Sequence, residues 1–212
     1  MRGPSSSHSA AACRIGLLLR QLMNEQITAI VVDYDPNGSL VTTHESQGTD
    51  MGLYGGLLGW EADDEQMPHY RSALEKAGIE TIVNYLDYQA PHPNYYRISI
   101  SNQLITHTLS AISTGGGMME VLNIDGAEVS IFGDKYVVLI YGENLELLRS
   151  MLPDWAQANL RLTASFIEIS TLIEFKKEDM AELESLSGVS NVCLLKPVVP
   201  VLEGNTSDLP FR

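Results

Sequence analysis

Cysteine and basic residues are the scarce components of this 212-residue chain. Two cysteines, Cys13 and Cys193, stand near opposite ends, too few for the four thiolates an iron–sulfur cubane takes. Thirteen Lys and Arg face 27 Asp and Glu, giving a net charge of −14. No Lys/Arg stripe exists to neutralise phosphates, which excludes nucleic acid and anionic lipid surfaces as partners. No apolar run approaches the roughly eighteen residues needed to span a bilayer. The first residues hold one Arg and then serines, not a charged segment backed by an apolar core, so a cytoplasmic protein with no membrane contact is expected. An apolar fraction of 44% and a charged fraction of 19% describe an ordinary globular chain, long enough for one large or two small domains.

Hydroxyls are concentrated at the start, in Gly3-Pro4-Ser5-Ser6-Ser7-His8-Ser9. Ala10 to Met23 follows with Ile15, Leu18, Leu19 and Leu22 at helical spacing, so the serines stand where a helix begins. Ser5, Ser6 or Ser7 is placed to cap it. A helix start offers free N–H groups and the positive end of the dipole, which suits a carboxylate or phosphate. Two readings stand side by side: a serine-rich cap on an ordinary helix, and an anion site built from hydroxyls and an imidazole.

The rest of the first 131 residues reads as α+β. Ile27–Tyr34 is a β-branched strand ending at the turn Asp35-Pro36-Asn37-Gly38, and Ser39–Thr43 returns as a second strand. Met51–Trp60 is apolar with four glycines, which cost helix stability unless another backbone packs closely against them. A helix through Tyr70–Ala77 stops at Gly78. Strands are expected at Ile79–Tyr88 and Tyr95–Ser101, around Ala90-Pro91-His92-Pro93-Asn94, and at Met118–Ile124 and Glu128–Phe132. Beyond Gly133 the order is strand Lys135–Tyr141, helix Asn144–Gln157, strands Arg161–Ile169 and Thr171–Phe175, helix Lys177–Leu186 and strand Val189–Leu195. This βαββαβ order is a ferredoxin-like unit. Residues 197–212, with three prolines and an apolar Leu209-Pro210-Phe211, read as an extended tail that docks on a partner or folds back.

Four stretches in order resemble the beta chain of the iron–sulfur-dependent L-serine dehydratases. Gly3 to His8 resembles the family's GPSSSHT opening. Asn37-Gly38-Ser39-Leu40-Val41-Thr42 followed by Gly48-Thr49-Asp50 is similar to its YGSLA…T…GHGTD. His92-Pro93-Asn94 resembles its HxN loop, and Thr114-Gly115-Gly116-Gly117 its glycine turn. The resemblance implies a serine dehydratase beta-type domain over 1–131, an ACT-like domain over 132–196 and a tail over 197–212. It implies one subunit of an ammonia lyase that converts serine to pyruvate, inactive alone. A separate cysteine-rich alpha chain would hold the [4Fe–4S] cluster, in a higher hetero-oligomer, and this chain would hold no metal. Where ACT domains commonly carry a Pro-Gly turn, this chain has Gly142-Glu143-Asn144, which favours a packing or dimerisation role over amino-acid sensing.

Dehydrating serine needs a carboxylate clamp, a base for the α-proton and a Lewis acid on the leaving hydroxyl. The clamp candidates are Ser5, Ser6 and Ser7 together with Gly115, Gly116 and Gly117, whose N–H groups could form a nest or merely a tight turn. Gly48, Thr49 and Asp50 complete the substrate-binding set that the resemblance implies, although Thr49 and Asp50 also read as caps of a helix starting at Met51. Gln47 stands where the family has its histidine, and glutamine cannot act as a base. His8 is the better catalytic candidate, because an imidazole titrates near neutral pH; His44 reads as a surface or hydrogen-bonding residue, and His69 and His107 as structural. His92 and Asn94 are a turn composition that the resemblance makes regulatory or interdomain. Gln47 leaves open a paralogue acting on another 2-amino or 2-hydroxy acid. The ACT-like half and the missing base leave open a non-catalytic, amino-acid-binding regulatory subunit.

Overall fold

The computed structural model describes residues 5–199, without the side chain of Ser6. Gly3, Pro4 and most of the tail, including Leu209-Pro210-Phe211, lie outside the described residues.

Helix α1 (Ser6–Met23) is buried on nearly every side, with Ala11, Ala12, Ile15, Leu18, Leu19 and Leu22 all 0–1% exposed. Each large aliphatic side chain sealed in this way contributes about 1.5–3 kcal/mol. After β1 (Ala29–Tyr34) come a four-residue helix α2 (Leu40–Thr43), then α3 (Thr49–Leu57) and α4 (Tyr70–Ala77). Strands β2 (Glu80–Tyr85), β3 (Tyr95–Ser101), β4 (Thr106–Gly115), β5 (Met118–Ile124) and β6 (Ala127–Ile131) complete a six-stranded sheet ordered β2-β1-β3-β4-β5-β6. Its β1–β2 pair is parallel and the other pairs antiparallel. A crossover through three helices allows the parallel pair, which no tight hairpin could join.

The glycines of α3 are explained by α1. A Cβ on Gly52 would strike the Ser9 carbonyl oxygen, and one on Gly56 the Cys13 carbonyl oxygen. One on Gly16 would strike the Leu53 carbonyl oxygen. The two helices therefore touch backbone to backbone.

The chain continues through β7 (Tyr136–Gly142), α5 (Leu145–Met151), β8 (Leu160–Leu162), β9 (Ile167–Thr171), α6 (Lys177–Glu184) and β10 (Val189–Leu195). Its four strands form an antiparallel sheet ordered β10-β7-β9-β8. The apolar run of β7 has both faces covered, as continuous apolar strands do. Val137 and Leu139 join Phe166, Cys193 and Leu195 in the core around α1, whereas Val138 and Ile140 pack with Leu148 of α5 and Leu183 of α6. The α+β class expected from the sequence holds.

Three local expectations change. Ser39–Thr43 is not a strand: the His44 amide donates to the Leu40 carbonyl at 2.8 Å, closing a helical turn, and the Thr43 hydroxyl donates to the Ser39 carbonyl at 2.7 Å. Strand β4 was not anticipated, because its inward positions include polar His107 and Ser113 beside Leu109 and Ala111. The expected strands 161–169 and 171–175 become β8 and β9, with the turn moved to Thr163–Phe166. There the Thr163 hydroxyl accepts from the Ser165 and Phe166 amides at 3.2 and 3.0 Å. Helix α5 is also shorter than expected, ending at Met151, since Pro153 holds the preceding Leu152 in an extended conformation.

His107 is structural, as expected. Its Nδ1 meets Asp125 Oδ2 at 2.7 Å, and the Tyr141 hydroxyl donates to the same oxygen at 2.8 Å. Burial pushes the Asp125 carboxyl up, but the bonds from His107, Thr108 and Tyr141 outweigh it and leave the carboxyl below its usual range.

Candidate functional site

The pairing of the first sheet gathers the sequence motifs at one edge. Strands β1 and β2 end there at Tyr34 and Tyr85, β3 begins there, and β4 turns into β5 there through Gly115–Gly117. Helix α1 runs back along the sheet, so its serine start lies at the same edge.

At that start Ser5 is the N-cap in position, but its hydroxyl bonds no helix amide. It meets His8 Nδ1 at 2.9 Å instead. No acidic residue stands in the first turn, so no side-chain charge offsets the positive helix end. His8 Nε2 is buried with no partner among the described residues. Burial lowers the His8 pKa and keeps the ring neutral at neutral pH.

Two arms close on this end. The Ser113 hydroxyl donates to the Ser7 carbonyl at 2.7 Å, and Arg14 Nη1 donates to the Gly117 carbonyl. The glycine turn is thus fastened to the first two turns of α1. All three glycines have positive φ, and a Cβ on Gly115 or Gly116 would meet nothing within 4 Å, so their conformation and not crowding demands glycine. On the other side the Ser9 hydroxyl donates to the Gln47 carbonyl at 3.3 Å, setting Gln47 and Gly48 against α1.

Gly48, at φ +84°, is the N-cap of α3, which begins at Thr49 and has no side-chain cap. The capping role considered for Thr49 and Asp50 is therefore not what they do. Both are buried: Thr49 lies beside Tyr96, with neither hydroxyl in a well-aligned hydrogen bond, and Asp50 Oδ2 meets His44 Nδ1 at 2.8 Å. Burial raises the Asp50 pKa, with the His44 bond acting against it. Of the two readings of His44, surface or hydrogen-bonding, the second holds: it is 7% exposed and its Nε2 meets the Tyr85 hydroxyl at 2.8 Å.

His92 and Asn94 sit in a loop tied to the same edge. His92 Nδ1 accepts from the Asn94 amide at 3.1 Å, and the Ser39 hydroxyl bonds Asn94 Oδ1. The Ser113 amide donates to the Asn94 carbonyl at 3.1 Å, which joins this loop to the arm that holds Ser7. Asp35 collects the amides of Ala90, Asn37 and Tyr88, and these bonds hold its carboxyl below the usual range. A cavity of about 230 Å³ lies between the two loops, lined by Asp35, Asn37, Gly38 and His92.

The fold therefore brings together Ser5, Ser7, His8, Gln47, Gly48 and Gly115–Gly117 around the start of α1. It places His92 and Asn94 one link away and turns Thr49 and Asp50 inward. Sequence reasoning missed Ser113, Arg14, Ser9 and Ser39, which carry the bonds between motifs. Ser9 and Ser39 stand inside motifs quoted from the sequence and Ser113 directly before the glycine-turn motif, whereas Arg14 has no local signal.

Neither cysteine is suited to a cluster. Cys13 Sγ donates to the Trp60 carbonyl and Cys193 Sγ to the Leu22 carbonyl, both at 3.3 Å. Burial pushes their pKa values up to about 12 and about 11, where the thiolate a metal needs is disfavoured. Among the described residues no group of three or more His, Cys, Asp and Glu could hold a metal ion, and no helix is long and apolar enough to cross a membrane.

No family model matches the chain. Over 140 residues it is 35% identical to a protein of Bacillus subtilis (strain 168) named "Probable L-serine dehydratase, beta chain", covering 66% of this chain and 63% of that one. Over 145 residues it is 32% identical to the "L-serine dehydratase, beta chain" of Peptoniphilus asaccharolyticus, with the same shares. The chain is similar to these L-serine dehydratase beta chains over 66% of its own length. It spans 63% of the length of the curated relatives it matches, and the resemblance drawn from its motifs is borne out by them.

Proposed function

We propose that the chain is the beta subunit of a two-chain, iron–sulfur-dependent L-serine dehydratase, a cytoplasmic lyase that dehydrates and deaminates serine to pyruvate and ammonia. The observation that carries this reading is the convergence of the serine start of α1, the Gln47–Gly48 loop and the Gly115–Gly117 turn, in a chain similar to two dehydratase beta chains. The cluster belongs to an alpha chain in this proposal, because Cys13 and Cys193 are buried and bonded to separate carbonyls.

This chain's share of the chemistry follows from its groups. The uncompensated start of α1 and the hydroxyls of Ser5 and Ser7 receive the substrate carboxylate. His8 is neutral at working pH, and its unpartnered Nε2 is free to take or return a proton. Gln47 occupies the family's histidine position beside Ser9 and reads the substrate by hydrogen bonding, not by proton transfer.

Residues 132–196 form an ACT-like unit in this proposal, supported by the βαββαβ order and the strand sequence β10-β7-β9-β8. Its role is packing: one face of its sheet closes the core around α1.

The test is anaerobic co-expression with a cysteine-rich alpha chain, followed by assay of pyruvate and ammonia from serine. A stable, brown, serine-dehydrating complex is expected. Failure of the two chains to associate, or a complex inert towards serine but active on another 2-amino or 2-hydroxy acid, overturns the serine assignment.

A further inference from the structure

A second cavity, of about 350 Å³, lies between α3, α4 and the edge strand β2, on the helix-covered face of the sheet. Strand order separates it from the Gly115–Gly117 turn by β1, β3 and β4, which at one strand spacing each is about 15–20 Å, while its wall residues His44 and Asp50 flank the Gln47–Gly48 loop in the chain. Its size falls within the range of small-molecule sites.

The hydrogen-bond polarity of its wall is fixed from the inside. Asp50, as a carboxylate, only accepts, so His44 Nδ1 carries the proton shared between them. In the neutral imidazole Nε2 then has only a lone pair, and Tyr85 donates the 2.8 Å bond to it. The single proton of Tyr85 is committed, so towards the cavity its oxygen can only accept. Tyr85 is 52% exposed and lines the cavity.

Arg71, on α4, imposes the opposite demand on the same cavity. Its Nε donates to the Tyr70 hydroxyl at 2.8 Å and its Nη2 to Glu45 at 3.1 Å, leaving Nη1 without a partner among the described residues. The Glu45 contact is between side chains about two-thirds exposed and contributes little. A ligand carboxylate, with its planar pair of oxygens, replaces Glu45 there at small cost. The rest of the wall carries Leu74, Ile79, Val83 and the stacked Tyr54 and Tyr70 rings, with Glu75 and Thr81 as its further polar groups.

We propose that this cavity binds a small carboxylic acid that also carries a hydroxyl or ammonium donor and an apolar side chain. Arg71 takes the carboxylate, Tyr85 Oη accepts from the donor, and the apolar wall covers the side chain. The hydroxymethyl group of serine would leave that wall uncovered. The inference stands apart from the serine dehydratase reading and does not rest on it.

Calorimetric titration of the full chain with four probes of similar skeleton tests it: leucine, 2-hydroxy-4-methylpentanoate, 4-methylpentanoate and 3-methylbutylamine. The first two, or one of them, should bind. The last two, lacking the donor or the carboxylate, should bind at least about tenfold more weakly, because each leaves one polar group of the site unpaired. Arg71→Met should weaken the binding probes by at least about tenfold. Tyr85→Phe should remove the preference over 4-methylpentanoate; both substitutions are at exposed side chains and should leave the circular dichroism unchanged. No binding of any probe at about 10 mM, equal binding of all four, or binding undiminished by Arg71→Met overturns the proposal.

Discussion

Ser113 and Ser7 are 106 positions apart, and the hydroxyl of the first donates to the carbonyl of the second at 2.7 Å. This bond fastens the strand that enters the glycine turn to the first turn of α1. It makes the proposed carboxylate clamp a two-sided structure. Ser113→Ala should cost about 0.5–1.5 kcal/mol of stability, the ordinary net worth of such a bond. In the assembled complex it should lower kcat/KM by more than that ratio implies, because the clamp loses its second side. Urea unfolding beside serine kinetics separates the two effects, and a kinetic loss no larger than the stability loss would show that the turn is only scaffolding.

Gly56→Ala should destabilise the fold although alanine is the better helix former by about 1 kcal/mol. The added methyl meets the Cys13 carbonyl oxygen and lies 3.0 Å from the Leu17 amide, both rigid helix backbone. A net loss of about 1–3 kcal/mol is expected from overpacking. Gly55→Ala is the control, since its methyl meets the end of the flexible Met67 side chain. The expected order of urea midpoints is wild type, then Gly55→Ala, then Gly56→Ala.

Gln47→His restores the family residue at a half-buried position whose carbonyl is bonded to Ser9. If position 47 faces the reacting carbon, turnover of serine should rise or persist. If Gln47 selects another substrate, turnover of that substrate should fall. Kinetics unchanged on every substrate would place this side chain outside the site.

His8 makes stability dependent on acidity with a definite sign. Its folded pKa lies below the ordinary 6.5 because burial disfavours the imidazolium. Above pH 6.5 the ring is neutral in both states and contributes no slope. Below it the unfolded chain binds the proton first, so stability falls as pH drops towards the folded pKa. His8→Asn should flatten that part of the curve, measured as urea midpoint between pH 7 and pH 5. If His8 is the base in the assembled enzyme, the acid limb of kcat/KM should likewise lie below pH 6.5.

Cys13 and Cys193 should resist alkylation in the native chain at pH 8, because burial and pKa values of about 12 and about 11 leave almost no accessible thiolate. Mass spectrometry should show two adducts only after urea. The chain purified alone should also be colourless, and a brown preparation of it would contradict the alpha-chain assignment of the cluster.

What was legible in the sequence followed how local the determining forces are. The helix of α1, the turn at Asp35–Gly38 and the strand Val189–Leu195 each rest on periodicity or turn residues within a few positions. The glycine pattern of α3 announced a close backbone partner without naming it. Strand β4 was invisible because His107 and Ser113 face inward, and their burial is tolerable only through Asp125 and Ser7, which no local window contains. The site shows the same split. The serine, GTD and glycine motifs were readable as words, while the bonds joining them, from Ser9, Arg14, Ser39 and Ser113, exist only once the sheet has aligned its loops.

The opening helix carries one further consequence. Its inner residues share a single core with Val137, Leu139, Phe166, Cys193 and Leu195, which come more than a hundred positions later. Cutting the chain near residue 132 would therefore strip the cover from α1 in one fragment and bare an apolar sheet face in the other. Neither piece would be a soluble product on its own. Each should precipitate on expression, and only mixing them during refolding should return the native circular dichroism.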